Sequence, residues 1–373
     1  MRSLPFAASR RSSRWWAAAI CCGCARFGYD VSALDQGGDA SVAPGGSAGS
    51  GTSGTSGAGG ADGTPAGGGG GVGSGSGGAS GSGGALDADD PLGVLPDAGP
   101  ADAGALDPCI GGGAFGPVVA LEGLPAPPLF GPSLATDGLT LLFAAGGDIF
   151  SARRARIDTT TFGNVTPVSA VNSDLPELTP HLSRDGRILF FSRDSDGTGS
   201  FRDLMASSRS ARDVALGAPA ALSPLNDPFW SELSPTLRAD GRELWFSSSR
   251  PGGPGLFDIW RSSLSTQNGQ FNNPQPVDSL SSSADDSGVA LTANALTAVV
   301  SSSRTGTLGS RDLWISTRAA PGDDFGSVTN LAELNTPQND TDPAWRSDDR
   351  ELLFASDRSG DSVLYSAVRA CDP

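Results

Sequence analysis

Lysine is absent from this chain: all 25 of its basic residues are arginine. The bias reflects the codon usage of a GC-rich genome rather than a particular chemistry. Histidine occurs once, as His181. A single histidine leaves no zinc site of the usual kind. No Gly-x-Ser-x-Gly elbow supports a Ser-His-Asp triad. There is neither a Walker A loop nor a Gly-x-Gly-x-x-Gly placed between a strand and a helix. These absences leave no cofactor to expect. Sustained helical periodicity is missing too, which excludes a helical bundle. Positive charge is scarce: 25 arginines face 41 acidic residues, for a net charge of −16. Nucleic acid is thereby excluded as a partner, because phosphate binding needs a basic stripe. An acidic surface fits solubility or basic ligands.

Large apolar residues are scarce in residues 36–108, a stretch almost entirely of Gly, Ser, Ala, Thr, Asp and Pro. Such a segment cannot bury enough surface to offset its ordering entropy, so a flexible, disordered tether is expected over residues 25–108. Ahead of it, Arg2, Arg10, Arg11 and Arg14 precede a short apolar run, Trp15 to Cys22. The run is too short to span a bilayer and reads as an export signal over residues 1–24. Cys24 follows Gly23 as in a lipobox, although Cys21 stands where that pattern has leucine. Three outcomes are open from this start: lipidation at Cys24 and an outer-membrane anchor, cleavage and release into the periplasm or beyond, or no export.

What remains, residues 109–373, repeats itself. PSLATDGLTLLFA from Pro132 recurs as PHLSRDGRILFFS from Pro180, PTLRADGRELWFS from Pro235, VALTANALTAVVS from Val289 and PAWRSDDRELLFA from Pro343. The aligned turn residues are Asp137, Asp185, Asp240, Asn294 and Asp348, spaced by 48, 55, 54 and 54 residues. Each unit reads as four strands: a Pro-x-Leu strand, a two-residue Asp-Gly hairpin, a continuous apolar strand, a strand opened by Asp, and one with an aromatic start. Apolar runs of this kind fit strands buried on both faces. A period near 50 with several strands per unit predicts an all-β propeller of five four-stranded blades, six if one unit is eroded. The fifth unit lacks its fourth strand, while FGPVVALEGL from Phe115 is a fourth strand without a blade. Pairing the two closes the ring and removes an exposed edge.

The Pro-x-Leu-Ser-x-Asp-Gly-Arg motif, carried best by Ser183 to Ser192 and Arg250 to Trp260, resembles the WD-repeat-like units of TolB-type periplasmic proteins. The resemblance spans roughly residues 115–370. It implies a propeller and leaves function open, since such units also serve peptidase-associated and stand-alone envelope propellers. TolB-type proteins carry a separate N-terminal α/β domain where this chain has its low-complexity stretch.

With Cys21, Cys22 and Cys24 in the signal, Cys109 and Cys371 are left over at the two ends of the ring. A disulfide there would staple the closure and stabilise it by roughly 3–5 kcal/mol; the alternative is two free thiols. The loop at Asp194 and Asp196 has the beginnings of a calcium site, but Met205 falls where the closing carboxylate belongs. Eight residues before each turn residue stand Leu129, Glu177, Glu232, Asp286 and Asp340. Four carboxylates at one repeat position predict a negative ring at one mouth of the channel, a site for a cation or basic ligand; alternatively each caps loop amides within its blade. Two function classes follow. One is a non-catalytic, monomeric envelope scaffold that binds an envelope protein or a cationic or glycan ligand and meets the membrane only through its lipid. The other is a glycan-acting enzyme using a pair of these carboxylates.

Overall fold

The computed structural model describes residues 113–370. The segments expected to be export signal and tether, with Cys24, Cys109 and Cys371, lie outside the described residues. Within them the chain opens with strand β1 (Val119–Ala120) and then lays down four complete meanders. Blade one is β2 (Leu129–Leu134), β3 (Thr140–Ala145), β4 (Asp148–Arg154) and β5 (Phe162–Pro167). Blade two is β6 (Glu177–Leu182), β7 (Ile188–Asp194), β8 (Arg202–Ser208) and β9 (Ala220–Ala221). Blade three is β10 (Glu232–Leu237), β11 (Glu243–Ser248), β12 (Asp258–Leu264) and β13 (Phe271–Pro276). Blade four is β14 (Asp286–Leu291), β15 (Thr297–Ser302), β16 (Asp312–Thr317) and β17 (Thr329–Asn330). The last blade is β18 (Asp340–Trp345), β19 (Glu351–Ser356) and β20 (Val363–Val368), completed by β1 in the order β18-β19-β20-β1.

The protein is therefore a five-bladed β-propeller, closed by its N-terminal strand. Val119 pairs with Ser366 and Ala120 with Tyr365, and an isolated bridge joins Phe115 to Arg369. Five apolar clusters fill the five gaps between neighbouring blades. One joins Phe190 and Leu204 of blade two to Leu244, Phe246 and Phe271 of blade three; another joins Phe143 and Leu141 of blade one to Leu353 and Leu364 of the last blade. Each sheet is covered on both faces. This is why its second strand, for example Leu189-Phe190-Phe191, is continuously apolar rather than alternating.

The recurrent Asp-Gly turn is wider than a two-residue hairpin. Its fourth residue returns an N–H to the carbonyl three residues before it, as Gly138 does to Ala135 at 2.8 Å and Gly186 to Ser183 at 2.7 Å. The fourth residue takes the positive φ, including Ala295 at 55° and Asp349 at 59°. The aspartate plays a different part, since its Oδ1 accepts the amide two residues on. Asp137 accepts from Leu139 at 2.8 Å, Asp185 from Arg187 at 3.0 Å, Asp240 from Arg242 at 3.0 Å, Asn294 from Leu296 at 2.9 Å and Asp348 from Arg350 at 3.2 Å. Only Asp or Asn reaches that amide so readily, which explains the repeat at this position.

The five first strands β2, β6, β10, β14 and β18 surround the axis. Each slips register by a bulge just before its Pro-x-Leu segment. The bulge puts Gly131, Thr179, Ser234, Gly288 and Asp342 in the left-handed region. At Gly131 the packing demands glycine, because a Cβ would stand 2.6 Å from the Thr179 Cα. The bulge amides bond to the preceding blade: Ser234 N–H to Thr179 Oγ1 at 3.2 Å, Gly288 N–H to Ser247 Oγ at 3.0 Å and Asp342 N–H to Ser301 Oγ at 3.1 Å.

Candidate binding site

The four carboxylates singled out by the repeat do not open onto the channel mouth. Glu177, Glu232, Asp286 and Asp340 each begin the innermost strand of their blade, and all four are 0% exposed. Each meets an arginine from the end of the second strand or just beyond it. Arg193 Nε lies 2.8 Å from Glu177, Arg250 Nη2 2.9 Å from Glu232, Arg304 Nη2 2.5 Å from Asp286 and Arg358 Nη2 2.5 Å from Asp340. The second carboxylate oxygen takes a loop amide: Ser173 for Glu177, Asp227 for Glu232, Ser282 for Asp286 and Thr336 for Asp340. The same arginines reach a carbonyl in the loop entering their blade, Val171, Leu225, Leu280 or Leu334. A buried charge must be paired and hydrogen-bonded. Here the pair fastens the loop between blades, so these side chains are buried and paired with arginine rather than displayed at the mouth. Leu129 fills the position in blade one, which has no such pair.

The arginine partners are the residues that the sequence reading passed over. Their signal is present: Ser-Ser-Arg250, Ser-Ser-Arg304 and Ser-Asp-Arg358 each follow a second strand, and Ser248, Ser302 and Ser356 accept the Nε. Burial pushes the Glu232 carboxyl up to about 7, against the opposing pull of the Asp227 amide, Arg250 and Ser248.

Asp194 and Asp196 form no cation site. Asp194 accepts the amides of Asp196, Gly197 and Gly199 at 3.2, 3.0 and 2.8 Å, and Asp196 accepts from Thr198. The carboxylates are spent on their own hairpin. Among the described residues no cluster of three or more His, Cys, Asp or Glu is placed to hold a metal.

The channel encloses about 120 Å³, lined by Pro132, Pro180, Pro235, Val289 and Pro343 of the repeat. Ligand pockets generally occupy about 300–1,000 Å³, so the space at the axis is smaller than a typical ligand site. His181 sits against it. Burial lowers its pKa to about 4, while a hydrogen bond to the Leu237 backbone works the other way. Asp342 also faces it. Burial raises its pKa, opposed by the amide of Gly131, which donates to Oδ2 at 3.1 Å, and by Arg311. Both have structural partners in the ring.

Accessible apolar chemistry lies at one end of the ring. In a closed meander, the loops between blades and the loops between second and third strands share one end. Phe229 and Trp230 occupy the loop entering blade three, with Phe229 74% exposed. Leu256, 73% exposed, stands between β11 and β12, and Leu308 between β15 and β16. The aromatic loop is firmly held. The Asn226 side chain bonds both the N–H and the C=O of Leu204, at 2.8 and 3.0 Å, and Asp227 N–H donates to Glu232. Asp227 Oδ1 then accepts the Phe229 amide at 3.0 Å, a turn that leaves the two rings outside. Thus the buried Glu232–Arg250 pair in blade three supports the loop that carries the exposed aromatics. The equivalent loops after Asn172 and Asn335 are anchored by the same asparagine bonds and carry no ring, so the aromatics are peculiar to the loop of blade three.

No family model matches the chain, and no curated protein does. Among solved structures it is similar to a putative TolB from Agrobacterium tumefaciens, with 16% identity over 61% of this chain and 70% of that one and a TM-score of 0.42. It is also similar to TolB from Acinetobacter baumannii, with 15% identity, 65% and 54% coverage and a TM-score of 0.40. An alpha-L-arabinofuranosidase from Lactobacillus brevis matches with 14% identity, 64% and 90% coverage and a TM-score of 0.46. The five-bladed β-propeller rests on the strand order of the chain itself; these likenesses, at TM-scores below 0.5, carry no role over to it.

Proposed function

We propose that this propeller is a non-catalytic binding module of the cell envelope, and that it takes its partner on the end bearing Phe229, Trp230, Leu256 and Leu308. The observation that carries this reading is the pair of exposed aromatics on an anchored loop. Large apolar side chains gathered at one end of a water-soluble ring mark a contact surface for a protein or a glycan. The acidic composition adds a preference for a cationic rim on that partner. The Arg-rich start and the Gly23-Cys24 pair support export and a lipid anchor at the outer membrane, with the ring held on the tether. Capture from envelope extract by wild type, by Phe229→Ser/Trp230→Ser and by Ile157→Ser at the opposite end tests the face. Loss of the captured partner in the aromatic variant alone is expected; an unchanged set from all three overturns it.

A glycan-acting enzyme is the second reading, and Glu232 is the observation in its favour. A carboxyl held near 7 has the value of a general acid. It is enclosed by Arg250 and Ser248 rather than facing an open cleft. Turnover of envelope glycans by the wild type, lost in Glu232→Gln, would establish this reading in place of the first.

A further inference from the structure

At several seams the hairpin turns of neighbouring blades are tied together. Thr136 Oγ1 donates to the Arg184 carbonyl between blades one and two. Ser347 Oγ donates to the Thr136 carbonyl at 3.0 Å between the last blade and blade one, and the Ala293 N–H to Asp349 Oδ1 at 2.8 Å between blade four and the last. The turns of blades two and three share no hydrogen bond among the described residues. A cavity of about 470 Å³ opens between them, on a floor of Ile188, Leu237 and Leu264. The same contact between the last blade and blade one is a buried ion pair, Arg154 with Glu351 at 3.0 and 2.7 Å. Leu264 ends its third strand as Arg154 does, and Ile188 opens its second strand as Glu351 does. Two shorter apolar side chains in place of a long ion pair leave both the space and its apolar floor.

The rim of this cavity is charged, and its two signs differ in what they are already doing. The acids are engaged. Asp240 and Glu243 pair with Arg238, and Asp185 accepts the Ser183 hydroxyl at 2.6 Å and the Arg187 amide at 3.0 Å. Two arginines are not. Among the described residues the guanidinium groups of Arg184, Arg187, Arg242 and Arg350 make neither a hydrogen bond nor an ion pair. Arg184 and Arg242 both line this cavity, one from the turn of blade two and one from the turn of blade three. In an acidic protein whose other arginines are largely spent on carboxylates and carbonyls, donors without an acceptor thus stand on two sides of an apolar floor. Such a cavity lacks an anion and has no group left over for a cation.

We infer that this cavity binds a small amphiphilic anion, a single short apolar chain ended by a carboxylate or a phosphate. The chain lies on Ile188, Leu237 and Leu264, where burial drives it out of water. The head meets the guanidinium groups of Arg184 and Arg242, whose planar forks match the oxygens of either head. The site lies at the hairpin-turn end of the ring, opposite the aromatic loop, and stands independently of the function proposed above.

The test titrates the full chain with octanoate, hexanoate, octanol and octyl phosphate and follows methyl resonances by NMR. Saturable shifts at Ile188, Leu237 and Leu264 are expected with octanoate. Octanol, which has the chain without the charge, should bind about tenfold more weakly, the worth of a charge-assisted fork. Hexanoate should also be weaker by roughly tenfold, for the two methylenes it lacks. Octyl phosphate separates the two heads, since whichever of the two octyl anions binds more tightly assigns the head to carboxylate or to phosphate. Arg184→Gln/Arg242→Gln should bring octanoate down to the affinity of octanol and leave octanol itself unchanged, which also shows that the cavity is intact in the variant. Arg350→Gln removes an arginine that likewise has no partner but lies in the last blade, and it should bind octanoate as the wild type does. No saturable shift at these methyls in the wild type, octanol binding as tightly as octanoate, undiminished octanoate binding by the double variant, or an equal loss in Arg350→Gln overturns the inference.

Discussion

The pH dependence of stability should single out one carboxyl. Glu232 is raised from an ordinary 4.5 to about 7, mainly because burial disfavours the anion. A folded-state pKa above the unfolded one means that the native protein holds the extra proton. The resulting stabilisation is complete below about 4.5 and is lost as pH rises through 7. One unit is worth 1.36 kcal/mol, so the span corresponds to roughly 3 kcal/mol, most of it falling between pH 5 and 8. Glu232→Gln cannot titrate. Gln keeps an acceptor for the Asp227 amide and loses the one used by Arg250 and Ser248, a cost that is the same at every pH, so the variant supplies a pH-independent baseline. Urea unfolding of wild type and variant at pH 5 and at pH 8 gives the difference directly. The wild type should lose about 2–3 kcal/mol relative to the variant on going to pH 8. In melting temperature that is roughly 5–10 °C for a domain of this size. Parallel stability curves would refute the reasoning. They would show that Arg250, 2.9 Å away, holds the carboxylate ionised and outweighs its burial.

Gly131→Ala should be strongly destabilising, by about 2–4 kcal/mol, since both the positive φ and the 2.6 Å approach to Thr179 forbid a Cβ; thermal melting reads it, and a loss under 1 kcal/mol would mean that the ring relaxes at the axis. Arg154→Leu breaks the buried pair with Glu351 and should cost about 3 kcal/mol. Adding Glu351→Ile removes the carboxylate left without Arg154 and gives the apolar pairing that Leu264 and Ile188 make between blades two and three; it should recover part of that loss, because Arg346 retains Asp348, and a double variant less stable than the single one contradicts this. Mass spectrometry of unreduced exported protein should find Cys109 joined to Cys371, and reduction should lower the melting temperature by roughly 5–15 °C; free thiols at both positions refute the staple. A fatty-acid probe should label wild type and not Cys24→Ala; equal labelling, or none in either, removes the lipid anchor.

Much of the fold was legible because it is written locally and five times. The Asp and Asn at each turn bind an amide two residues away, the Pro-x-Leu strands follow one spacing, and the fourth strand missing at the end stands in surplus at the beginning. Such features need only the chain's own periodicity to be counted, and they lead to a five-bladed ring closed by residues around Phe115. The fate of the repeated carboxylates was not legible. Their arginines lie 16 to 18 residues further on, and whether an acid points to water or into a seam depends on how neighbouring sheets pack. The same holds for Phe229 and Trp230, which composition alone assigns to a core. Periodicity thus fixed the ring and its closure. Which charges are buried, which rings meet solvent and which gap stays open was decided by the packing of one blade on the next, since that packing sets the desolvation and the partners of each side chain.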